Sequence, residues 1–231
     1  MKMFSPLKSN VIRFLVVALL LSCAGLQDVH LVAQAAAPTP MPAVVNSVTF
    51  YSQPGKVGWI LESAHNSRVG GALNAMSTTL VVGDDALNRQ YRDILSFNTA
   101  SLPDTAVVKS AVLYLMQAGK VVGSNPFITL GSLAIDVKSP FFGATPGVGL
   151  EDFSAPASAR IAYFNKTPSG GWYTATLNAT GRSKINTTGL TQMRLTLTTN
   201  TNNNSKADYI RFFSGDATTD KPSLVITYIV P

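Results

Sequence analysis

The chain has 231 residues, 46% of them apolar and 13% charged, with a formal net charge of +6. That apolar share excludes a disordered chain, and the length suits one sizeable core, since all-β sandwiches of roughly 200 residues form single domains. The basic residues are scattered, with no Lys/Arg run and no interleaved aromatic ladder, which argues against nucleic acid as a partner; the positive balance reads as a solvated surface or as a bias toward an acidic polymer.

Met1 to Arg13 is basic, Phe14 to Leu21 is uninterrupted apolar, and Ala33-Gln34-Ala35 offers an Ala-x-Ala cleavage site. This three-part order predicts a secretory signal peptide over residues 1–35, with an apolar run too short for a membrane span. Leu20-Leu21-Ser22-Cys23 gives the alternative of a lipoprotein anchored through Cys23. Cys23 is the only cysteine, so a chain cut after Ala35 carries no thiol and is disulfide-free, relying on core burial. Residues 36–47, with Pro38, Pro40 and Pro42, read as an extended linker, and residues 48–231 as one domain, secreted or held at the cell surface, with no transmembrane span.

Beyond the linker the sequence alternates short strand patterns with turns. Strands are expected at Val48–Ser52 and Lys56–Glu62, then a loop over His65–Asn74, then a strand at Thr78–Val82 closed by Gly83-Asp84-Asp85. Tyr91 to Phe97 alternates, with Tyr91, Asp93, Leu95 and Phe97 on one face. Asn98 to Thr105 is turn chemistry around Pro103. Ala106 to Met116 resumes as AVVKSAVLYLM, apolar on both faces, which predicts a central strand covered on both sides for most of its length. A helix is the rival reading, opposed by the β-branched Val107, Val108 and Val112 and by Tyr114.

A loop over Gly119–Pro126 precedes an alternating strand pattern at Phe127–Val137. Residues 139–156, with six Gly and Pro, predict a long irregular loop. Short strands follow at Arg160–Phe164 and Trp172–Leu177. Asn178–Ile185 is the one helical turn expected. Leu190 to Thr199 predicts a half-buried strand with Met193, Leu195 and Leu197 inward and Arg194, Thr196 and Thr198 facing solvent. Tyr209–Phe213 and Leu224–Ile229 close the chain. About eleven strands with at most one short helix predict an all-β fold, an antiparallel β-sandwich or jelly roll.

Two segments carry a family resemblance. Arg92, Leu95, Phe97, Leu102 and Pro103, followed by Ser110, Ala111, Leu113 and Leu115, stand in an Arg-x-x-Leu-x-Phe … Leu-Pro … Ser-Ala-x-Leu-x-Leu pattern. At the C-terminus Ser214 is followed by Pro222, Leu224, Ile226 and Tyr228, with Ile226 where the pattern has Val. Together these resemble the DNRLRE (disaggregatase-related repeat) family over roughly residues 48–229. The resemblance implies a secreted β-sandwich module of the carbohydrate-binding type, of the kind appended to larger surface proteins.

Candidate chemistry is sparse. His65 is the only histidine after the signal, and no Gly-x-Ser-x-Gly elbow accompanies it. Only two glutamates exist, Glu62 and Glu151, which makes a glycosidase carboxylate pair a weak expectation, so the chain reads as no enzyme. No cofactor is required, but Asp84, Asp85, Glu151 and Asp152 beside glycine turns are candidate ligands for a structural Ca²⁺, against the alternative of ordinary turn chemistry. Trp172, followed by Tyr173 at a glycine turn, is a candidate stacking platform for a sugar, while Trp59 reads as core; for both tryptophans a packed structural role is the plain alternative. Arg89 and Arg92 are candidates to line a cleft for a uronate, the alternative being ion pairs with Asp93 or Asp85. The sequence thus leads to a non-catalytic exported module binding a polysaccharide or cell-envelope glycan, with ligand residues Trp172, Tyr173, Arg89 and Arg92, or mediating surface or matrix adhesion. Self-association into an extracellular structural protein by strand addition is the alternative, and a small polysaccharide-active enzyme ranks third.

Overall fold

The computed structural model describes residues 44–231; the expected signal peptide, Cys23 and most of the linker lie outside them. Twelve strands run in chain order as β1 Val45–Tyr51, β2 Gly58–Glu62, β3 Gly70–Asn74, β4 Thr79–Asp84, β5 Tyr91–Asn98, β6 Val107–Met116, β7 Leu133–Lys138, β8 Ala159–Tyr163, β9 Trp172–Thr176, β10 Leu190–Leu197, β11 Asp208–Phe213 and β12 Ser223–Ile229. Two short helices interrupt them, α1 Pro126–Thr129 and α2 Ala179–Ser183. All nine named strand pairings are antiparallel.

The protein is an all-β sandwich. A four-stranded sheet in the order β1-β12-β6-β9 faces a six-stranded sheet in the order β3-β2-β5-β10-β7-β8. With β1, β5 to β10 and β12 taken as the eight principal strands, the sheets read 1-12-6-9 and 5-10-7-8, the strand order of a jelly roll. Period-two alternation aims Phe50, Leu113, Leu115, Ala175, Leu224 and Ile226 from one sheet against Leu95, Phe97, Ile135, Val137, Met193 and Leu195 from the other. β4 and β11 form a separate pair whose Leu80, Val82, Ile210 and Phe212 enter the same core.

Several boundaries differ from expectation for local reasons. β1 begins at Val45, inside the expected linker, because its ladder to β12 runs back to the pair Val45–Ile229. β3 occupies the end of the expected 65–74 loop; its pairing with β2 supplies hydrogen bonds that its weak pattern (GGALN) does not announce. α1 replaces the start of the strand expected at 127–137. Asn125 accepts a hydrogen bond from the Phe127 N–H and Pro126 fills the first turn, the usual start of a helix.

The larger correction concerns faces. β6 is not covered on both sides: Ala111, Leu113 and Leu115 are buried, while Ser110, Val112, Tyr114 and Met116 are only half-buried. β10 is instead covered on both sides, with Gln192 and Arg194 0% and 6% exposed on the face expected to meet water. The covering is the segment 139–158, which lays Phe142 and Phe153 over Ile60 and Ile94 on the outside of the six-stranded sheet. Arg194 ties it down. Its guanidinium donates to the carbonyls of Asp152 at 2.8 Å and Ala155 at 2.7 Å, reaches Asp136 at 3.4 Å, and lies 4.6 Å from the Phe142 ring centre. The carbonyls of Asp152 and Phe153, which Arg194 also reaches, end the 3-10 turn Leu150–Phe153, whose last acceptors have no partner within the turn, and Ala155 follows just beyond it.

Candidate functional site

Where the six-stranded sheet is covered, the outer face of the four-stranded sheet is open among the described residues. The ladders put Tyr51 opposite Ser223, Ser223 opposite Tyr114, and Tyr114 opposite Thr174, so these four residues form one row across all four strands. The next row is Thr49, Val225, Val112 and Thr176. All of these side chains stand outward because their neighbours Phe50, Leu224, Leu113 and Ala175 stand inward.

Trp172 closes one end of this surface. Ser169 and Trp172 exchange both backbone hydrogen bonds at 3.0 Å across the two-residue loop Gly170-Gly171. Both glycines have positive φ, 56° and 86°, as a tight hairpin turn of matching twist requires. A Cβ on Gly171 would come within 2.8 Å of the Met116 side chain, so the glycine lets the turn sit over β6, where Trp172 lines the same groove as Tyr114. Asn165 flanks it, fixed by accepting the Thr174 N–H at 2.7 Å and donating to the Thr167 carbonyl at 2.6 Å.

The result is a groove of about 700 Å³. Its aromatic lining is Tyr51, Tyr114 and Trp172; its polar lining includes Asn165, Thr174, Ser223, Asp220 and Lys221. Tyr51 is 62% exposed, so its ring is available to a ligand. Aromatic faces interspersed with hydroxyl, amide and charged groups suit a molecule that has both apolar C–H faces and many hydroxyls.

Of the four residues expected to bind a ligand, Trp172 borders this groove and the others lie elsewhere. Tyr173 is 2% exposed and stacks on Phe127 with centroids 4.9 Å apart; strand alternation forces it inward when Trp172 points outward. Arg89 is held by Asp85, with Nε and Nη2 at 2.8 and 2.6 Å from Oδ2, the ion pair foreseen as its alternative. Arg92 is beneath the 139–158 segment, 4.1 Å from the Phe153 ring centre, where burial and the neighbouring Arg194 push its pKa down to about 10. Trp59 is half-buried and meets Tyr91 edge-on, with centroids 5.6 Å apart. His65 is exposed, its Nε2 2.9 Å from Asn66 Nδ2.

The four expected calcium ligands are likewise dispersed. Asp84 points inward, Asp85 accepts the Leu87 and Arg89 N–H groups in its own turn, Glu151 is exposed, and Asp152 accepts the Gly149 N–H at 2.9 Å. Burial pushes the Asp152 carboxyl up to about 6. Among the described residues no three His, Cys, Asp or Glu side chains gather around one point, and no helix is long and apolar enough to cross a membrane.

Sequence reasoning did not single out Tyr51, Tyr114, Asn165, Asp220 and Lys221. The signal for Tyr114 was present, since it shares a strand face with Ser110, but the neighbouring Val108, Val112 and Met116 made that face read as buried. Neither a scan against protein-family models nor a search of curated proteins gives a match to this chain.

Proposed function

We propose that this chain is an exported, non-catalytic β-sandwich module that binds carbohydrate on the open face of its four-stranded sheet. The observation that carries the reading is the groove bounded by Trp172, Tyr114 and Tyr51, with hydroxyl and amide groups set between the rings. Sugars offer C–H faces to aromatic rings and hydroxyls to Asn, Thr and Ser. An open sheet surface admits a chain lying across it. The resemblance to DNRLRE modules points the same way. The groove lining has one carboxylate, Asp220, whereas most glycosidases use two, and this favours binding over cleavage. Export rests on the order of basic, apolar and Ala-x-Ala segments before residue 36.

The test is retardation of the secreted protein in gels containing soluble neutral or uronate polysaccharides, repeated with Trp172→Ala. Retardation by at least one glycan, reduced in the variant, is the expected result. Free migration of the wild type in every glycan, or retardation that Trp172→Ala leaves intact, overturns the assignment.

A further inference from the structure

Burying a carboxylate with neither a hydrogen bond nor an opposite charge is costly, on the order of several kcal/mol, and Asp84 is such a carboxylate. The residue has no exposed surface, and although the Thr201 hydroxyl and the Asn202 N–H lie close to it, neither Oδ1 nor Oδ2 meets a donor at hydrogen-bond geometry. It ends the inward-facing series Leu80, Val82, Asp84 of β4, so its side chain enters the sandwich.

Directly opposite on β11 stands Asp208, also fully buried and in series with the inward Ile210 and Phe212. Facing residues of an antiparallel pair hold their Cβ atoms about 4.5–5.5 Å apart on one side of the sheet, so both carboxylates open into one small space. No Lys, Arg or His forms an ion pair with either among the described residues. Burial raises the Asp84 pKa; the nearby Thr201 hydroxyl and Asn202 N–H oppose this, the charge of Asp208 adds to it, and the net direction is upward. Asp208 is kept ionised: burial opposes this, but the Ser124 N–H at 2.6 Å and the Asn202 and Asn204 amides at 2.7 Å outweigh it. The loops around the pair are drawn in close. A Cβ on Gly123, whose φ is +66°, would fall 2.1 Å from the Ala207 carbonyl oxygen and 2.3 Å from Asp208 Oδ1.

We propose that Asp84 and Asp208 supply the two carboxylates of a structural Ca²⁺ site, buried where β4 and β11 meet the 199–206 loop. Two carboxylates neutralise a divalent ion. The surrounding groups are hard oxygens, the Thr201 hydroxyl on the Asp84 side and the Ala207 carbonyl on the Asp208 side, which is the donor chemistry Ca²⁺ takes. Asp85, Glu151 and Asp152 play no part. The ion would fasten the polar 199–206 loop to the core, a role distinct from the groove.

Equilibrium dialysis of the wild-type protein against CaCl₂, followed by metal analysis, should find about one calcium per chain, lost on dialysis against EGTA. At a hundredfold excess over Kd, calcium should raise the melting temperature by about 5–10 °C relative to EGTA. Asp84→Asn keeps the side-chain volume and should abolish both effects, as should Asp208→Asn, whereas Asp220→Asn, in the groove, should keep them. No retained calcium in the wild type overturns the proposal whatever the variants do, and so does a calcium shift that survives in both Asp84→Asn and Asp208→Asn. Because glycan retardation is read separately, failure of either assignment leaves the other standing.

Discussion

The outer face of the four-stranded sheet and the outer face of the six-stranded sheet start from similar material. Each alternates with a buried inner row, and each mixes apolar, hydroxyl and aromatic or charged residues. On the first, Tyr51, Tyr114, Val225 and Trp172 stay partly open and form a groove. On the second, Ile94, Gln192 and Arg194 vanish beneath 139–158. The polar residues under that cover are there for the cover itself. Gln192 accepts the Phe142 N–H at 2.6 Å and donates to the Pro146 carbonyl at 3.1 Å, while Arg194 holds the carbonyls of Asp152 and Phe153 that end the 3-10 turn. An irregular segment has many unpaired backbone groups, and a sheet can accept such a segment only if its own side chains complete them. Polar residues on an outer sheet face can therefore mean a docked loop as readily as water.

The strongest way to break this contrast is to remove Arg194. Its side chain is 7% exposed and bonded to carbonyls and to Asp136, so Arg194→Ala should destabilise the protein by about 3–5 kcal/mol in urea unfolding. Phe153→Ala, which empties the cluster beneath the cover, should cost about 3–4 kcal/mol. If both variants unfold at the wild-type urea midpoint, 139–158 contributes nothing to the core.

Trp172→Ala should do the reverse. It should leave stability within about 1 kcal/mol, as a half-buried side chain on an open face allows, while weakening glycan binding about tenfold or more. A fall in stability without a fall in binding would make Trp172 a packing residue only.

Asp152 sharpens the comparison through pH. Burial raises its carboxyl to about 6 in the folded protein, above the unfolded value of about 3.9. The folded state therefore binds the proton more tightly, and the resulting stabilisation is full at acid pH and declines as pH rises through about 6. Wild type minus Asp152→Asn should show that decline between about pH 4 and 6; a flat difference would mean the carboxyl is ionised throughout. The smallest effect belongs to Arg89→Ala. Its ion pair with Asp85 is a partly exposed one, with side chains 27% and 15% exposed, and chemical unfolding should detect a loss of no more than about 1 kcal/mol.

Much of the fold was legible from the residues. Period-two patterns located eleven of the strands, and the pattern of Leu190 to Leu197 identified Met193, Leu195 and Leu197 as inward. What escaped was β3, whose five residues have too few apolar side chains to announce a strand, and α1, whose cap lies inside a loop-like sequence. The candidate site was legible only at Trp172, next to its glycine turn. Tyr51 and Tyr114 lie 63 positions apart in sequence and share a row only because β12, from the far end of the chain, pairs with both β1 and β6.

By itself the sequence determined the strands and the side of each strand that seeks the core, because side-chain alternation is a local property of extended backbone. Which outer face stays open, which residues border one groove, and that Asp84 confronts Asp208 were decided by the tertiary structure. Those facts depend on ladder register and on where residues 139–158 come to rest, and both are settled by contacts between segments distant along the chain.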